Sequence, residues 1–254
     1  MGLWNRIRKT KTFSTNGCRL YAIGDVHGCF SSLVELLQLI ERDQKARTPL
    51  ETHVILLGDY IDRGPQSRDV CQLLHAMNTS SYFHCLRGNH EQTMLDVLDG
   101  NRMALRFWLK YGGEETLISW GIDPVLIERA YMSESGQVQL IKAFQRVVPP
   151  SFIKWLRSLP AHRIHGDYLF VHAGVRPQLR LEEQVEDDLL WIREPFLSSD
   201  VRHPWRVVHG HSESDEVELL HNRIGIDTAA YRTGVLTAVG IEDEEAWTIQ
   251  TAAR

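Results

Sequence analysis

Five short polar strings, most of them directly downstream of apolar, β-favouring runs, constrain the fold more than any other property of the chain. GDVHG (Gly24 to Gly28) follows LYAI, GDYIDRG (Gly58 to Gly64) follows HVILL, and HAG (His172 to Gly174) follows YLFV. HGH (His209 to His211) follows VV, and GNHE (Gly88 to Glu91) follows the less apolar SYFHCLR. Carboxylates, an amide and imidazoles therefore stand where strands end and loops begin, the place where a rigid sheet best positions ligands. The donors are oxygen and nitrogen with no thiolate. That set suits a two-cation hydrolytic centre better than a structural zinc site.

Between these strings the chain alternates strand and helix patterns. Strands are expected at Arg19 to Ile23, His53 to Leu57 and about Tyr82 to Leu86, each feeding a polar loop and then a helix. The first helix carries Leu33, Leu36, Leu37 and Ile40 on one face, with Ser32 and Glu35 spaced as a capping box. The second carries Val70, Leu73, Leu74 and Met77. From 101 to 159 no strand pattern appears; aromatics recur and glycine or proline pairs separate helices, which predicts a helical insertion beside the site whose aromatics mainly pack. After Pro160 short strands return: Arg163 to His165, Tyr168 to His172, Arg206 to His209, Val217 to Leu220, Arg223 to Asp227, Val235 to Ile241 and Ala246 to Thr251. The expected architecture is α/β (α+β), one domain over 1–254 with a leader at 1–18 and the insertion at 101–159.

Bulk properties exclude some classes. The net charge of −5 argues against a dedicated nucleic-acid binder. The four cysteines show no CxxC pair, consistent with reduced thiols. The leader MGLWNRIRKTK is basic without an apolar core, and Arg6 stands where a myristoylation signal needs Ser or Thr, so neither secretion nor lipid anchoring is expected. A membrane-surface role for Trp4 and Ile7 ranks below a frayed leader. A cytoplasmic protein with neither nucleic-acid nor membrane partners is the expectation.

The chemistry follows from the residue types. Asp25 and His27 can reach one cation from a tight turn, and Asp59 can bridge to a second. Asn89, His172 and His211 can complete that second ion. Two cations about 3.5–4 Å apart clamp a phosphate and activate a bridging water for in-line attack, so no protein nucleophile is needed. His90 can protonate the leaving oxygen, Asp62 can orient it and keep it charged, and Arg63 and Arg193 can hold phosphate oxygens. A lone histidine is usually a core residue, so His53, His75, His84, His162, His165, His203 and His221 stay unassigned.

Taken together, GDVHG, GDYIDRG, GNHE, HAG and the GH of HGH resemble the phosphoprotein phosphatase branch of the metallophosphoesterases, especially its bacterial and phage serine/threonine members. The likeness spans about Leu20 to Ile241. It implies a four-layer sandwich with two central mixed sheets flanked by helices. It also implies a dinuclear centre of divalent metal ions, manganese first with iron or zinc as alternatives. Carried over by position, Asp25, His27 and Asp59 hold one metal, and Asp59, Asn89, His172 and His211 the other. His90 with Asp62 forms the acid pair, and Arg63 and Arg193 bind phosphate. The family's Gly-His-Thr/Ser pattern selects His211 over His209, and Ala229 stands where glycine is frequent. The implied substrates are phosphoserine and phosphothreonine proteins or peptides, with phosphotyrosine left open. Symmetrical dinucleoside tetraphosphate hydrolysis is the nearest alternative, disfavoured by the acid-orienting Asp62. A cyclic-nucleotide or nucleic-acid phosphodiesterase ranks lower. A non-catalytic metal-binding regulator of the same fold is disfavoured because every position is filled.

Overall fold

The computed structural model describes residues 12–253. Its first sheet has the order β10-β9-β1-β2-β3, with β1 at Arg19–Ile23, β2 at Thr52–Leu56, β3 at Phe83–Cys85, β9 at Thr237–Glu242 and β10 at Glu245–Gln250. The second has the order β4-β5-β6-β8-β7, with β4 at His162–His165, β5 at Tyr168–Val171, β6 at Arg206–His209, β7 at Glu218–Leu219 and β8 at Arg223–Gly225. Each of the ten strands among the described residues falls within or beside an expected run. Both sheets are mixed: β1, β2 and β3 pair in parallel, as do β5, β6 and β8, while β4, β7, β9 and β10 pair antiparallel.

Side-chain alternation along the strands builds the layers. Leu20, Ala22, Ile55 and Leu57 face inward and meet Tyr168, Phe170, Val208 and Ile224 of the second sheet, filling the space between the sheets. Tyr21, Ile23 and Leu56 face the other way and pack on α1 (Phe30–Ala46) and α2 (Ser67–Met77) through Leu33, Leu36, Val70 and Leu74. Leu169, Val171 and Val207 face outward under α9 (Glu186–Trp191) with Leu189 and Phe196. The result is the expected sandwich of two sheets with helices outside.

The capping box is not where the spacing put it. Helix α1 begins at Phe30 behind Cys29, and Ser32 is buried inside its first turn. The reason is the tight turn before it: the Cys29 amide bonds Val26 O at 3.0 Å and the Leu33 amide bonds Cys29 O at 3.0 Å, so the helix starts early. Glu35 instead accepts from the Ala252 amide at 3.3 Å.

The stretch from 101 to 159 is helical: α4 (Arg102–Lys110), α5 (Gly113–Ser119), α6 (Pro124–Met132), α7 (Glu134–Val147) and α8 (Pro150–Ser158) follow α3 (Asn89–Leu98). Asn101, Asp123 and Ser133 cap α4, α6 and α7 through their side chains. Trp108, Trp120, Phe144, Phe152 and Trp155 are buried within the core shared with the first sheet. No helix among the described residues is long and apolar enough to cross a membrane.

The leader divides. Met1 to Lys11, including Trp4 and Ile7 and with them the expectation of a frayed leader, lies outside the described residues, while 13–18 are docked on the sheets. The Ser14 amide bonds Asp167 Oδ2 at 3.0 Å, and Asp243 Oδ1 accepts from Ser14 Oγ at 3.1 Å and from the Thr15 amide at 2.9 Å. Hydrogen bonds to a charged acceptor are the stronger kind, about 1.5–3 kcal/mol each where shielded and less where exposed. Asp243→Ala is expected to lower stability by about 1–2 kcal/mol in urea unfolding and to speed amide exchange at Thr15; unchanged values for both would mean that the docking carries no stability.

Candidate active site

Because β1, β2 and β3 run in parallel, their C-terminal ends share one edge, and the loops leaving them meet. Asp25 and His27 lie in the first of them, Asp59, Asp62 and Arg63 in the second, and Asn89 and His90 at the start of α3 just after the third. The loops after β5 and β6 bring His172 and His211 from the second sheet. Ten residues expected from sequence thus converge: seven come from these loops, Asn89 and His90 from the first turn of α3, and Arg193 reaches the same cleft from the segment after α9.

The backbone there is unusual. His27, Asp59, Asp62, Arg63 and His211 have φ of +43°, +50°, +76°, +65° and +61°. Non-glycine residues in this region cost about 1–3 kcal/mol each and persist where surrounding contacts over-determine them. The contacts are present. Asp59 O accepts from the Val26 and His27 amides at 3.0 and 2.9 Å. The His211 amide reaches both Asp25 oxygens at 3.1 Å, and the His90 amide reaches Asp59 Oδ1 at 3.1 Å. Two glycines allow the close approach: a Cβ on Gly88 would overlap the Asp59 side chain and amide, and one on Gly210 would overlap the Asp25 carboxylate.

Glu91, quoted in GNHE but given no role from sequence, ties these loops together. Its buried carboxylate accepts from the Asp59 amide at 2.9 Å, the Tyr60 amide at 2.8 Å and the Gly88 amide at 2.9 Å. Burial and the neighbouring Asp59 push its pKa up to about 8, while the three N–H groups favour the ionised form.

The donor set fits divalent cations. His27 Nδ1 bonds Ile61 O at 2.8 Å and His172 Nδ1 bonds Leu57 O at 3.0 Å, so each ring turns its Nε2 lone pair inward. His27 Nε2 stands 3.6 Å from Asp59 Oδ2, and His172 Nε2 stands 3.5 Å from Asp59 Oδ1. The two oxygens of one carboxylate thus face two different imidazoles. His172 Nε2 also faces Asn89 Oδ1 at 2.7 Å, two lone pairs that a shared cation would reconcile. Donor atoms within 4.8 Å of one another form two groups that share Asp59: His27, Asp59 and His90, and Asp59, His172 and His211. The first contains His90 where sequence placed Asp25, which lines the same cleft.

Electrostatics agree with a place for positive charge. Burial, with Asp227 and Asp59 close by, raises Asp25 well above the usual carboxylate range. Burial with Glu213 and Asp59 pushes Asp227 up to about 6 against the Ala229 amide bond. Burial and the neighbouring His172 and Arg193 push His211 down to about 2, so its ring is a neutral donor. Buried carboxylates crowded together call for cations.

Beside this cluster lies a histidine–carboxylate pair. His90 Nδ1 bonds Asp62 Oδ2 at 2.5 Å. The insertion holds Asp62: Trp108 Nε1 donates to Oδ2 at 2.7 Å and Thr116 Oγ1 to Oδ1 at 2.5 Å. Burial alone would lower the His90 pKa, but Asp59 and Asp62 raise it to about 9. Trp108 therefore positions the site, as the packing role expected for the insertion's aromatics did not anticipate.

Arg63 reaches Glu213 Oε1 at 3.1 Å and lies 4.6 Å from the Tyr231 ring centre, whose hydroxyl donates to the same Glu213 oxygen at 2.9 Å. Arg193 Nη1 donates to Ser212 Oγ at 3.2 Å. These two arginines and the cluster line a cleft of about 260 Å³ whose far wall is Phe107, Tyr111 and Trp191. His209 points away from the cleft: its Nδ1 bonds Gly210 O at 3.0 Å and its ring stacks edgewise on Phe196. Ala229 takes the left-handed conformation (φ +51°), which accounts for the glycine usual at its position. Sequence reasoning missed Glu213, Asp227, Thr116 and the aromatic wall; only Asp227, at the end of an expected strand, carried a signal resembling the other motifs.

Glu91→Ala leaves three buried N–H groups without an acceptor. It is expected to cost about 3 kcal/mol or more in denaturant unfolding and to lower the bound-metal content measured by mass spectrometry. A neutral result on both would remove Glu91 from the scaffold.

Residues 18–238 match the family model described as calcineurin-like phosphoesterase. The chain is 28% identical to serine/threonine-protein phosphatase 1 of Salmonella typhimurium, over 89% of this chain and 94% of that protein. It is 23% identical to the asymmetrical bis(5'-nucleosyl)-tetraphosphatase PrpE of Halalkalibacterium halodurans, over 88% of this chain and 90% of that one. The fold superposes on a solved structure described as a putative diadenosine tetraphosphatase with a TM-score of 0.65, 19% identity, and coverage of 95% and 99%.

Proposed function

Because the chain belongs to the calcineurin-like phosphoesterase family, whose members use divalent metal ions, we propose that it hydrolyses phosphoserine and phosphothreonine esters in proteins or peptides. In this reading Asp25, His27 and Asp59 hold one cation, and Asp59, Asn89, His172 and His211 the other, manganese being the first choice. The cations, when bound, supply the Lewis acidity that polarises the phosphoryl group and activates water. Arg63 and Arg193 orient the remaining phosphate oxygens, with Arg63 steadied by Glu213 and Tyr231. His90, with Nδ1 bound to Asp62, offers its Nε2 proton to the leaving oxygen.

The observation that carries the substrate class is the His90–Asp62 pair and its supports from α4 and α5. A seryl or threonyl oxygen leaves as a strongly basic alkoxide unless it is protonated, whereas the phosphate leaving group of a polyphosphate chain departs readily without an acid. A dedicated acid held by Trp108 and Thr116 is therefore most useful for alkyl esters. The second reading, dinucleoside tetraphosphate hydrolysis, is favoured by the wall of Phe107, Tyr111 and Trp191, each more than a third exposed and able to stack on a base. A relative of each kind matches nearly full length.

The leaving-group dependence tests this reading. His90→Asn and Trp108→Phe should slow phosphoserine peptide turnover by about 10²–10⁴-fold and less than that respectively, with smaller losses on an aryl phosphate. Equal losses on both esters would contradict the acid role. The pH profile carries the sign: His90 is protonated below a pKa of about 9, so alkyl-ester turnover should fall as pH rises through that value, or a lower one with cations bound beside it. A profile flat from pH 7 to 10 would oppose it. Asp25→Asn and His211→Ala should each lower metal content and abolish turnover; full occupancy with a normal rate would remove them from the ligand set.

A further inference from the structure

A third group of potential ligands lies away from this cleft. One donor atom each from Cys18, His53 and His165 falls within 4.8 Å of the others. Cys18 directly precedes β1, His53 lies near the start of β2, and His165 ends β4. The catalytic loops leave the opposite, C-terminal ends of β1 and β2. At about 3.3 Å per residue, the five-residue β1 separates the two ends by about 17 Å. His165 belongs to the second sheet, so the group spans the sandwich at its base.

A carboxylate, Glu51, stands beside the three donors, in contact with one of them and largely exposed. His53 is buried, with its ring centre 4.7 Å from that of His165 and 5.4 Å from that of His84. Its Nδ1 lies 3.1 Å from His84 Nε2, which orients the ring, and its Nε2 lies 3.1 Å from Glu51 Oε1. Glu51 is near enough to act electrostatically on both Cys18 and His165, and it offsets the positive charge of neighbouring Arg163. One sulfur and two imidazole nitrogens, with a carboxylate oxygen against one imidazole, are a donor set of the zinc type, softer than the oxygen-rich catalytic set.

We propose that Cys18, His53 and His165, with Glu51 as fourth ligand, bind one zinc-class divalent cation that clips the two sheets together. Zinc bonds of about 2.0–2.3 Å place tetrahedral donors roughly 3.3–3.8 Å apart, so Cys18, His53 and His165 draw together by up to about 1 Å on binding and the exposed Glu51 side chain swings in to join them. Three of the four residues lie on or next to the ends of strands, where side-chain rotation supplies that movement. The site is independent of the phosphoesterase reading: it shares no residue with the catalytic cluster, and its signature is a thiolate–metal bond.

Cobalt(II) reads that bond directly. The full-length protein titrated with cobalt should develop a near-ultraviolet thiolate-to-cobalt charge-transfer band. The band should persist in Asp59→Asn, disappear in Cys18→Ser and His165→Gln, and be displaced by zinc. Zinc titration followed by mass spectrometry should show one equivalent fewer in Cys18→Ser than in the wild type. Absence of the band in folded wild-type protein overturns the proposal without recourse to any variant. A band of undiminished intensity in Cys18→Ser overturns it as well.

Discussion

The Glu91 carboxylate is the constraint on which the rest of the site depends. It accepts the amides of Asp59, Tyr60 and Gly88, so the loop after β2 and the start of α3 cannot move independently. That junction fixes Asp59 in a left-handed conformation with its carboxylate turned toward His27 on one side and His172 on the other. Everything else converges on Asp59: the loop after β1 bonds its carbonyl, and the His90 amide bonds its side chain. Strained backbone at five site residues is maintained by a hydrogen-bond network rather than by glycine alone.

Around this rigid centre the helices from 101 to 159 reach into the candidate site. Trp108 of α4 and Thr116 of α5 occupy both oxygens of Asp62, which leaves that carboxylate one geometry toward His90. Phe107 and Tyr111 on and after α4 form the outer wall with Trp191. One segment therefore both orients the proposed proton donor and shapes what can approach it, and changes in that segment should alter leaving-group preference and substrate choice together.

What could be read from sequence divides along physical lines. Strands and ligand loops were legible because each is a local string: an apolar run sets the strand, and the polar residues after it mark the strand end. His27 and Asp25, or Asp59 and Asp62, sit within a few residues of one another, so their convergence needed only the parallel order of β1 to β3. Trp108 and Thr116 were not legible as site residues because they meet Asp62 across 46 and 54 positions, and a buried tryptophan in a helix reads first as packing. The role of Glu91 was hidden because its partners are backbone amides, which leave no mark in the residue pattern. The expected capping box at Ser32 failed where the tight turn from Val26 to Cys29 set the helix start ahead of the local motif.

The most direct test of the central claim is phosphate release by the purified protein supplied with manganese. Phosphoserine and phosphothreonine peptides would be measured beside a dinucleoside tetraphosphate, with Asp25→Asn as the control. The account predicts peptide turnover well above dinucleotide turnover, lost in the variant. Preferential cleavage of the dinucleotide, or peptide turnover that survives Asp25→Asn, would contradict it.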